Sequence, residues 1–227
     1  MNAPLIDRGL YTVSDAARLL RISPQRVRGW IAGYPRTKAP PILKNDIGWL
    51  DGSLAFSFAN LMEIRFIEHF AALKVRVATI REMAREAERF LKHPHPFATS
   101  TVFQTDGRKI FAETAKATGD KTLYDLRDKN WAMLDIIEQS LHREVTYDPS
   151  GDAALWLPRP EIPSVAVYPR RSFGQPVLKD EGIPTRTIFE AFEAEGNDAD
   201  SVSKWFSIPS ARVQEAVQFE IQLAMAA

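Results

Sequence analysis

Residues 11–32, YTVSDAARLLRISPQRVRGWIA, set two helix starts and two apolar stripes within a single short stretch, and the reading of the chain follows from them. Ser14 ahead of Asp15 reads as a helix cap, with the acid suited to the positive end of the helix dipole. Ala16, Leu19 and Leu20 then fall at i, i+3 and i+4, which predicts a short helix with one apolar face. Arg21-Ile22 makes a tight turn. Ser23-Pro24 opens a second helix, a hydroxyl cap followed by proline at the first helical position, where its missing N–H costs nothing. Val27, Trp30 and Ile31 repeat the spacing and should pack on the first helix. Gln25, Arg26 and Arg28 are left pointing outward from the first turns of the second helix. In a DNA-binding helix–turn–helix those positions reach base edges and phosphates in the major groove.

The flanks extend this reading. Tyr34-Pro35 ends the helix, and two short apolar runs, Ile42-Leu43 and Ile47 to Leu50, surround Lys44-Asn45-Asp46 and predict a small β-hairpin, or wing. Arg36, Lys38 and Lys44 lie in or beside it, within reach of phosphates. Residues 1–50 carry eight Lys/Arg against three Asp/Glu, a net +5 on a chain whose total is zero. A basic patch on a neutral chain is the electrostatic footprint of a nucleic-acid module. The bland alternative is a helical hairpin whose arginines are merely solvated.

The string from Tyr11 to Trp30, the wing and a later helix starting near Phe58 resemble the winged helix–turn–helix of MerR-type regulators over about residues 8–92. The chain departs from that family in having no cysteine for metal sensing and no long terminal coiled coil. The resemblance therefore implies a DNA-binding fold and nothing about metal response.

At 227 residues the chain can bury a sizeable core in one to three domains. With no cysteine, a disulfide framework and thiolate metal sites are excluded, and a cytoplasmic setting is expected. No signal peptide and no run of about 18 apolar residues is found, so no membrane association is expected.

After the wing, Ser57 caps a helix to about Leu73 with an apolar face broader than a surface helix needs. Val77 to Lys92 is a second, with an Arg/Glu ladder on its outer side. Arg76 and Arg81 could touch the DNA backbone if the MerR-like docking holds. His93-Pro94-His95-Pro96 breaks the helix; two histidines without a third ligand nearby read as structural rather than metal-binding. Thr101 to Phe111 reads as a hairpin around Asp106-Gly107, Leu123–Arg127 and Ala132–Leu141 as helical pieces, and 144–157 as another hairpin around Pro149-Ser150-Gly151. Pro158, Pro160 and Pro163 form a stiff connector before a strand at 165–168. Pro184-Thr185 opens a helix stopped by Gly196-Asn197, followed by a short helix from Ala199 to Trp205 and a last helix after Ser207 or Ser210.

Residues 180–227 hold nine Asp/Glu and three Lys/Arg, a net −6, which argues against a second DNA reader and for a basic protein partner. Gly174-Gln175-Pro176 and Ile183-Pro184-Thr185-Arg186, with the paired helices after them, resemble a domain of unknown function found in VapB-type antitoxins that accompany PIN-like ribonuclease toxins. That likeness covers about residues 165–220. Asp180-Glu181 departs from it, where small or basic residues are more usual.

Together these readings predict an α+β, mainly α fold: an N-terminal winged helix–turn–helix (1–95), a small α+β linking or dimerisation unit (96–160), and a C-terminal three-helix, helix–turn–helix-like unit (161–227). The function they imply is a DNA-binding antitoxin that represses its own operon as a homodimer and neutralises a PIN-like ribonuclease. Operator DNA and the toxin are its partners, with no catalysis, cofactor or metal. The alternative is a stand-alone MerR-like regulator with a ligand pocket lined by Trp131, Phe103 or Trp156. No convergent catalytic constellation supports an enzyme.

Overall fold

Thr12, not Ser14, starts the first helix. In the computed structural model, which describes residues 7–100, 105–123 and 143–225, the Thr12 hydroxyl accepts from the Asp15 backbone N–H while the Asp15 carboxylate accepts from the Thr12 N–H. This reciprocal capping box satisfies two donors that the helix itself leaves open. Helix α1 (Val13–Leu20) ends at Arg21, whose left-handed backbone makes the turn. Helix α2 (Pro24–Ala32) starts as read, with the Ser23 hydroxyl accepting from the Arg26 N–H and Pro24 behind it. Ala16, Leu19, Val27, Trp30 and Ile31 are buried between the two.

The hairpin that follows is shifted from its expected place. Strands β2 (Gly48–Leu50) and β3 (Ser53–Phe56) pair around Asp51-Gly52, and β3 pairs on its other side with β1 (Tyr11–Thr12). Ile42 and Leu43 are not strand. Both of their backbone N–H groups donate to the Trp30 carbonyl, folding the loop onto the end of α2 and burying both side chains.

Helix α3 (Phe58–Ala72), capped by Ser57, is buried around most of its circumference, as its apolar pattern predicts. Helix α4 (Val77–Leu91) buries one face through Ile80, Met83, Ala84 and Ala87 and leaves the Arg/Glu ladder outside. The expected hairpin at 101–111 is a correction: helix α5 (Thr105–Thr118) runs straight through Asp106-Gly107. Ile110, Phe111, Thr114 and Ala115 fall at helical spacing and are buried against α4, and this long-range packing overrides the local turn signal. Phe66, Phe70 and Phe111 share one aromatic cluster, in which Phe97 stacks on Phe66 at 4.2 Å. The helical pieces expected within 124–142 lie outside the described residues, as do Phe103 and Trp131.

Strands β4 (Val145–Tyr147) and β5 (Ala153–Trp156) form the expected hairpin. With β6 (Val165–Val167) and β7 (Pro176–Leu178) they make one antiparallel sheet in the order β4-β5-β6-β7. The pairing of Trp156 with Val167 carries that sheet across the proline-rich connector. Helices α6 (Thr185–Ala194), α7 (Ala199–Phe206) and α8 (Ser210–Met225) close the chain as read. The architecture is α+β and mostly helical. Among the described residues no helix is long and apolar enough to cross a membrane.

The two ends of the chain are packed together. The buried Tyr11 hydroxyl donates to the Gly174 carbonyl at 2.8 Å, and the Leu10 N–H donates to Phe173. Arg159, buried in the connector, donates to the Leu19 carbonyl at 2.9 Å and to the Arg18 carbonyl at 3.4 Å, filling acceptors that the end of α1 leaves open. On the exposed side Arg21 reaches Gln222 of α8. One hydrophobic core runs from Tyr11 to Leu223.

Candidate nucleic-acid interface

The basic residues of the first fifty positions fall into two groups according to what already holds them. Gln25 and Arg28 are exposed on α2. The Arg28 guanidinium lies 5.9 Å from the ring of Trp49 on strand β2, so the outer face of the helix meets the hairpin through a cation–π contact. Arg36 and Lys38, in and after a 3-10 turn at Pro35–Thr37, are exposed, as is Lys44. None of these four cations has a carboxylate partner among the described residues.

Arg26 is different. Its guanidinium forks onto both carboxylate oxygens of Glu68 on α3, at 3.1 and 2.8 Å, and lies 4.9 Å from the Trp30 ring. Burial pushes the Glu68 carboxyl up, and Arg26 pulls it back down. One charge-assisted hydrogen bond and a second close N–O approach restrain the side chain. Arg26 therefore holds α2 against α3, its charge facing the Glu68 carboxylate.

Arg76 and Arg81 are also committed. Arg76 donates to Asp120 and to the Thr118 carbonyl, tying the start of α4 to the end of α5. Burial alone would raise the Asp120 carboxyl, but hydrogen bonds from Thr79 and Arg76 bring it down to about 2. Arg81 donates to the carbonyls of Pro40 and Pro41, bracing the loop between α2 and the hairpin.

Gly29 belongs to the same construction. A Cβ there would stand 2.2 Å from the Tyr34 ring, which folds back over α2 and whose N–H pairs with Ala39. The glycine lets the chain return across the helix and bring Arg36 and Lys38 round beside it.

The root of the hairpin is held by a chain of ion pairs absent from the sequence reading. Asp46 accepts from Arg8 at 2.6 Å and from the Ser57 N–H, and lies 3.4 Å from His95 Nε2. His95 Nδ1 lies 3.0 Å from Glu63 Oε2. Burial alone would lower the His95 imidazole, but its bonds to Asp46 and Glu63 carry it up to about 9. Burial pushes Glu63 up; burial would also raise Asp46, but hydrogen bonds from His95 and Ser57 and the charges of His95 and Arg8 hold it down. His95 is thus an internal cation between two carboxylates, consistent with a structural role, and among the described residues no three candidate ligands converge for a metal ion. His93 pairs with Asp152 at 3.1 Å. Trp156, considered as a pocket wall, is buried and lines a crevice of about 220 Å³ with Arg65, Glu144 and Arg159.

Trp49, Glu68 and Asp46 are the residues that sequence reasoning missed here. Trp49 carried a legible signal, an exposed aromatic next to the Asp51-Gly52 turn. The other two act through contacts with residues far away in the chain.

No family model matches the chain. It is 24% identical over 206 residues, 83% of this chain and 84% of its counterpart, to the protein named "Putative antitoxin VapB45" in Mycobacterium tuberculosis. It also superimposes on the crystal structure of Rv2018 from Mycobacterium tuberculosis with a TM-score of 0.72 at 20% identity, over 96% of this chain and 99% of that one. The second likeness shows a shared fold. The first is a similarity to the protein named "Putative antitoxin VapB45" over more than four-fifths of both chains.

Proposed function

We propose that this protein is the DNA-binding antitoxin of a type II toxin–antitoxin system, a non-enzymatic, cytoplasmic repressor of its own operon. The observation that carries the reading is the alignment with a protein named as an antitoxin over 84% of that protein's length. The geometry supplies two surfaces that suit it. Residues 1–95 serve as a winged helix–turn–helix, with α2 in the major groove and the β2–β3 hairpin as the wing. Arg28 and Gln25 read base edges, Arg36, Lys38 and Lys44 neutralise phosphates, and Arg26 contributes both charge and the orientation of α2. A homodimer would set two such helices on paired half-sites, with residues 96–160 the linking or dimerising unit.

Residues 161–227 would hold a PIN-like ribonuclease toxin. The net −6 charge of residues 180–227 lies in the same stretch as Trp205, an exposed aromatic of the kind that anchors protein interfaces. Capture of a basic nuclease by this face is occlusion, with no turnover.

The DNA half is tested by fluorescence anisotropy on the protein's own promoter region. Arg28→Ala is expected to weaken binding by roughly tenfold, the equivalent of one lost charged contact to a base or phosphate, with the melting temperature unchanged. Unchanged affinity in a folded Arg28→Ala protein would remove α2 as the reading helix.

A further inference from the structure

A crevice of about 490 Å³ opens on the side of the molecule where the N-terminal arm, the start of α3, the turn at 93–95, the β4–β5 turn and the loop 168–171 converge. That volume is within the range of sites for small organic molecules. Phe58, Ala59, Ala98, Ala153 and Ala154 supply an apolar part of its lining, beside charged residues and two histidines.

The charges lining it are unevenly committed. Asp46 is engaged by Arg8, His95 and the Ser57 N–H. Asp152 is paired with His93, and Asp148 accepts from the Ser150 hydroxyl and from the N–H groups of Ser150 and Asp152. Of the lining carboxylates, only Asp7, exposed at the rim, has no partner among the described residues. Arg170 and Arg171 face the opposite situation. Neither has a carboxylate within ion-pair distance among the described residues, and Arg171 is held by its 4.5 Å contact with the Tyr168 ring. The first turn of the fifteen-residue helix α3 lines the same space, but its end is already capped: the Ser57 hydroxyl accepts from the Asn60 N–H, the Phe58 N–H donates to the Arg8 carbonyl, and Asp46 accepts from the Ser57 N–H. Apart from Asp7 the acids are taken up by neighbours, whereas Arg170 and Arg171 form no ion pair among the described residues, Arg170 acting on Asp148 only from a distance.

From this cavity and its unspent cations we infer that the crevice is a binding site for a small organic anion, a carboxylate or phosphate ester on a compact apolar body. The anionic end sits against Arg170 and Arg171, and the body fills the alanine-lined recess. This inference does not depend on the antitoxin reading, since it uses none of the DNA-facing residues.

The test is calorimetric titration of the full chain with four probes: benzoate, phenyl phosphate, inorganic phosphate and benzylamine. Benzoate or phenyl phosphate is expected to bind with a dissociation constant on the order of 1 mM or tighter, and the better of the two identifies the anionic group. Inorganic phosphate is expected to bind more weakly than its phenyl ester, and benzylamine not at all. Two variants locate the site: Arg170→Ala with Arg171→Ala, which changes only exposed side chains, and Ala154→Phe, which fills the recess. Each should weaken binding at least roughly tenfold, the loss of one charged or well-packed contact; should Ala154→Phe not fold, the arginine pair still decides. No binding of either aryl anion, equal binding of benzylamine, or unchanged binding in the arginine variant overturns the proposal.

Discussion

Gly174→Ala is expected to destabilise the protein far more than a methyl group on a surface turn would. Gly174 has φ +84°, a conformation that L side chains rarely adopt, and a Cβ there would stand 2.3 Å from the Tyr11 hydroxyl, 2.8 Å from its ring carbon Cζ and 3.0 Å from the Gly9 Cα. The left-handed backbone costs an alanine roughly 1–2 kcal/mol. Overpacking against the buried Tyr11, which cannot swing into solvent, adds about 1–3 kcal/mol. The sum, about 2–5 kcal/mol, corresponds for a chain of this size to a fall in Tm of roughly 4–20 °C. Urea denaturation measures the free energy and differential scanning calorimetry the shift. Tyr11→Phe provides the second arm. Alone it strips the Gly174 carbonyl of its donor and costs about 1–3 kcal/mol, yet it removes the atom nearest the new methyl. The double variant should therefore cost less than the two singles together, by about 1 kcal/mol. A Gly174→Ala protein within about 0.5 kcal/mol of the parent, the usual range for surface changes, or strictly additive costs, would refute the contact between residues 163 apart in the chain.

Other outcomes follow from the same contacts. Arg159→Met should lower stability by about 2–4 kcal/mol, because it leaves the Leu19 carbonyl without its charged donor in a buried place; chemical denaturation checks it. The His95 imidazole sits at about 9 when folded against an ordinary 6.5. Its contribution is therefore complete below about pH 6.5 and is lost as the pH rises through 9, by up to about 3 kcal/mol. Stability measured across that window should fall in the parent and stay flatter in His95→Gln. Arg36→Ala and Lys44→Ala should each reduce the slope of log affinity against log salt by about one on promoter DNA, with no change in Tm. Glu68→Gln should loosen Arg26 and change DNA binding without touching the DNA itself, and the disappearance of that effect in an Arg26→Ala background, which itself loses more, checks the coupling.

Much of the architecture was legible because it is written in local signals. The α1–α2 pair, α3 and α7 carry side-chain caps, and α4, α6 and the β4–β5 hairpin carry apolar patterns or turn residues that mark their place. Where the reading slipped, the reasons are specific. The capping box Thr12-Val13-Ser14-Asp15 contains two hydroxyls, and the one three residues before the acid is the cap. Asp-Gly occurs twice. At Asp51-Gly52 both residues take positive φ and make a hairpin turn. At Asp106-Gly107 the same dipeptide is carried inside α5 by the burial of Ile110, Phe111 and Ala115. At the candidate interface the exposed residues Gln25, Arg28, Arg36, Lys38 and Lys44 could be named from spacing and charge. The pairing of Arg26 with Glu68, the Asp46–His95–Glu63 chain and the Arg159 cap on α1 could not, since each joins residues whose separation in sequence carries no periodic signal.

The central claim is that one chain joins a DNA-reading end to a toxin-holding end, and capture from its own cells tests it most directly. The tagged full-length protein is expected to bring down a small basic ribonuclease, identified by mass spectrometry and inactive until released. A Trp205→Ala, Glu193→Lys variant should lose that ribonuclease while still binding promoter DNA. These exposed positions are the right ones to change, because deleting residues 160–227 would break the β5–β6 pairing and the Tyr11–Gly174 contact. Recovery of DNA and copies of the chain itself, with no ribonuclease from either protein, would contradict the antitoxin account.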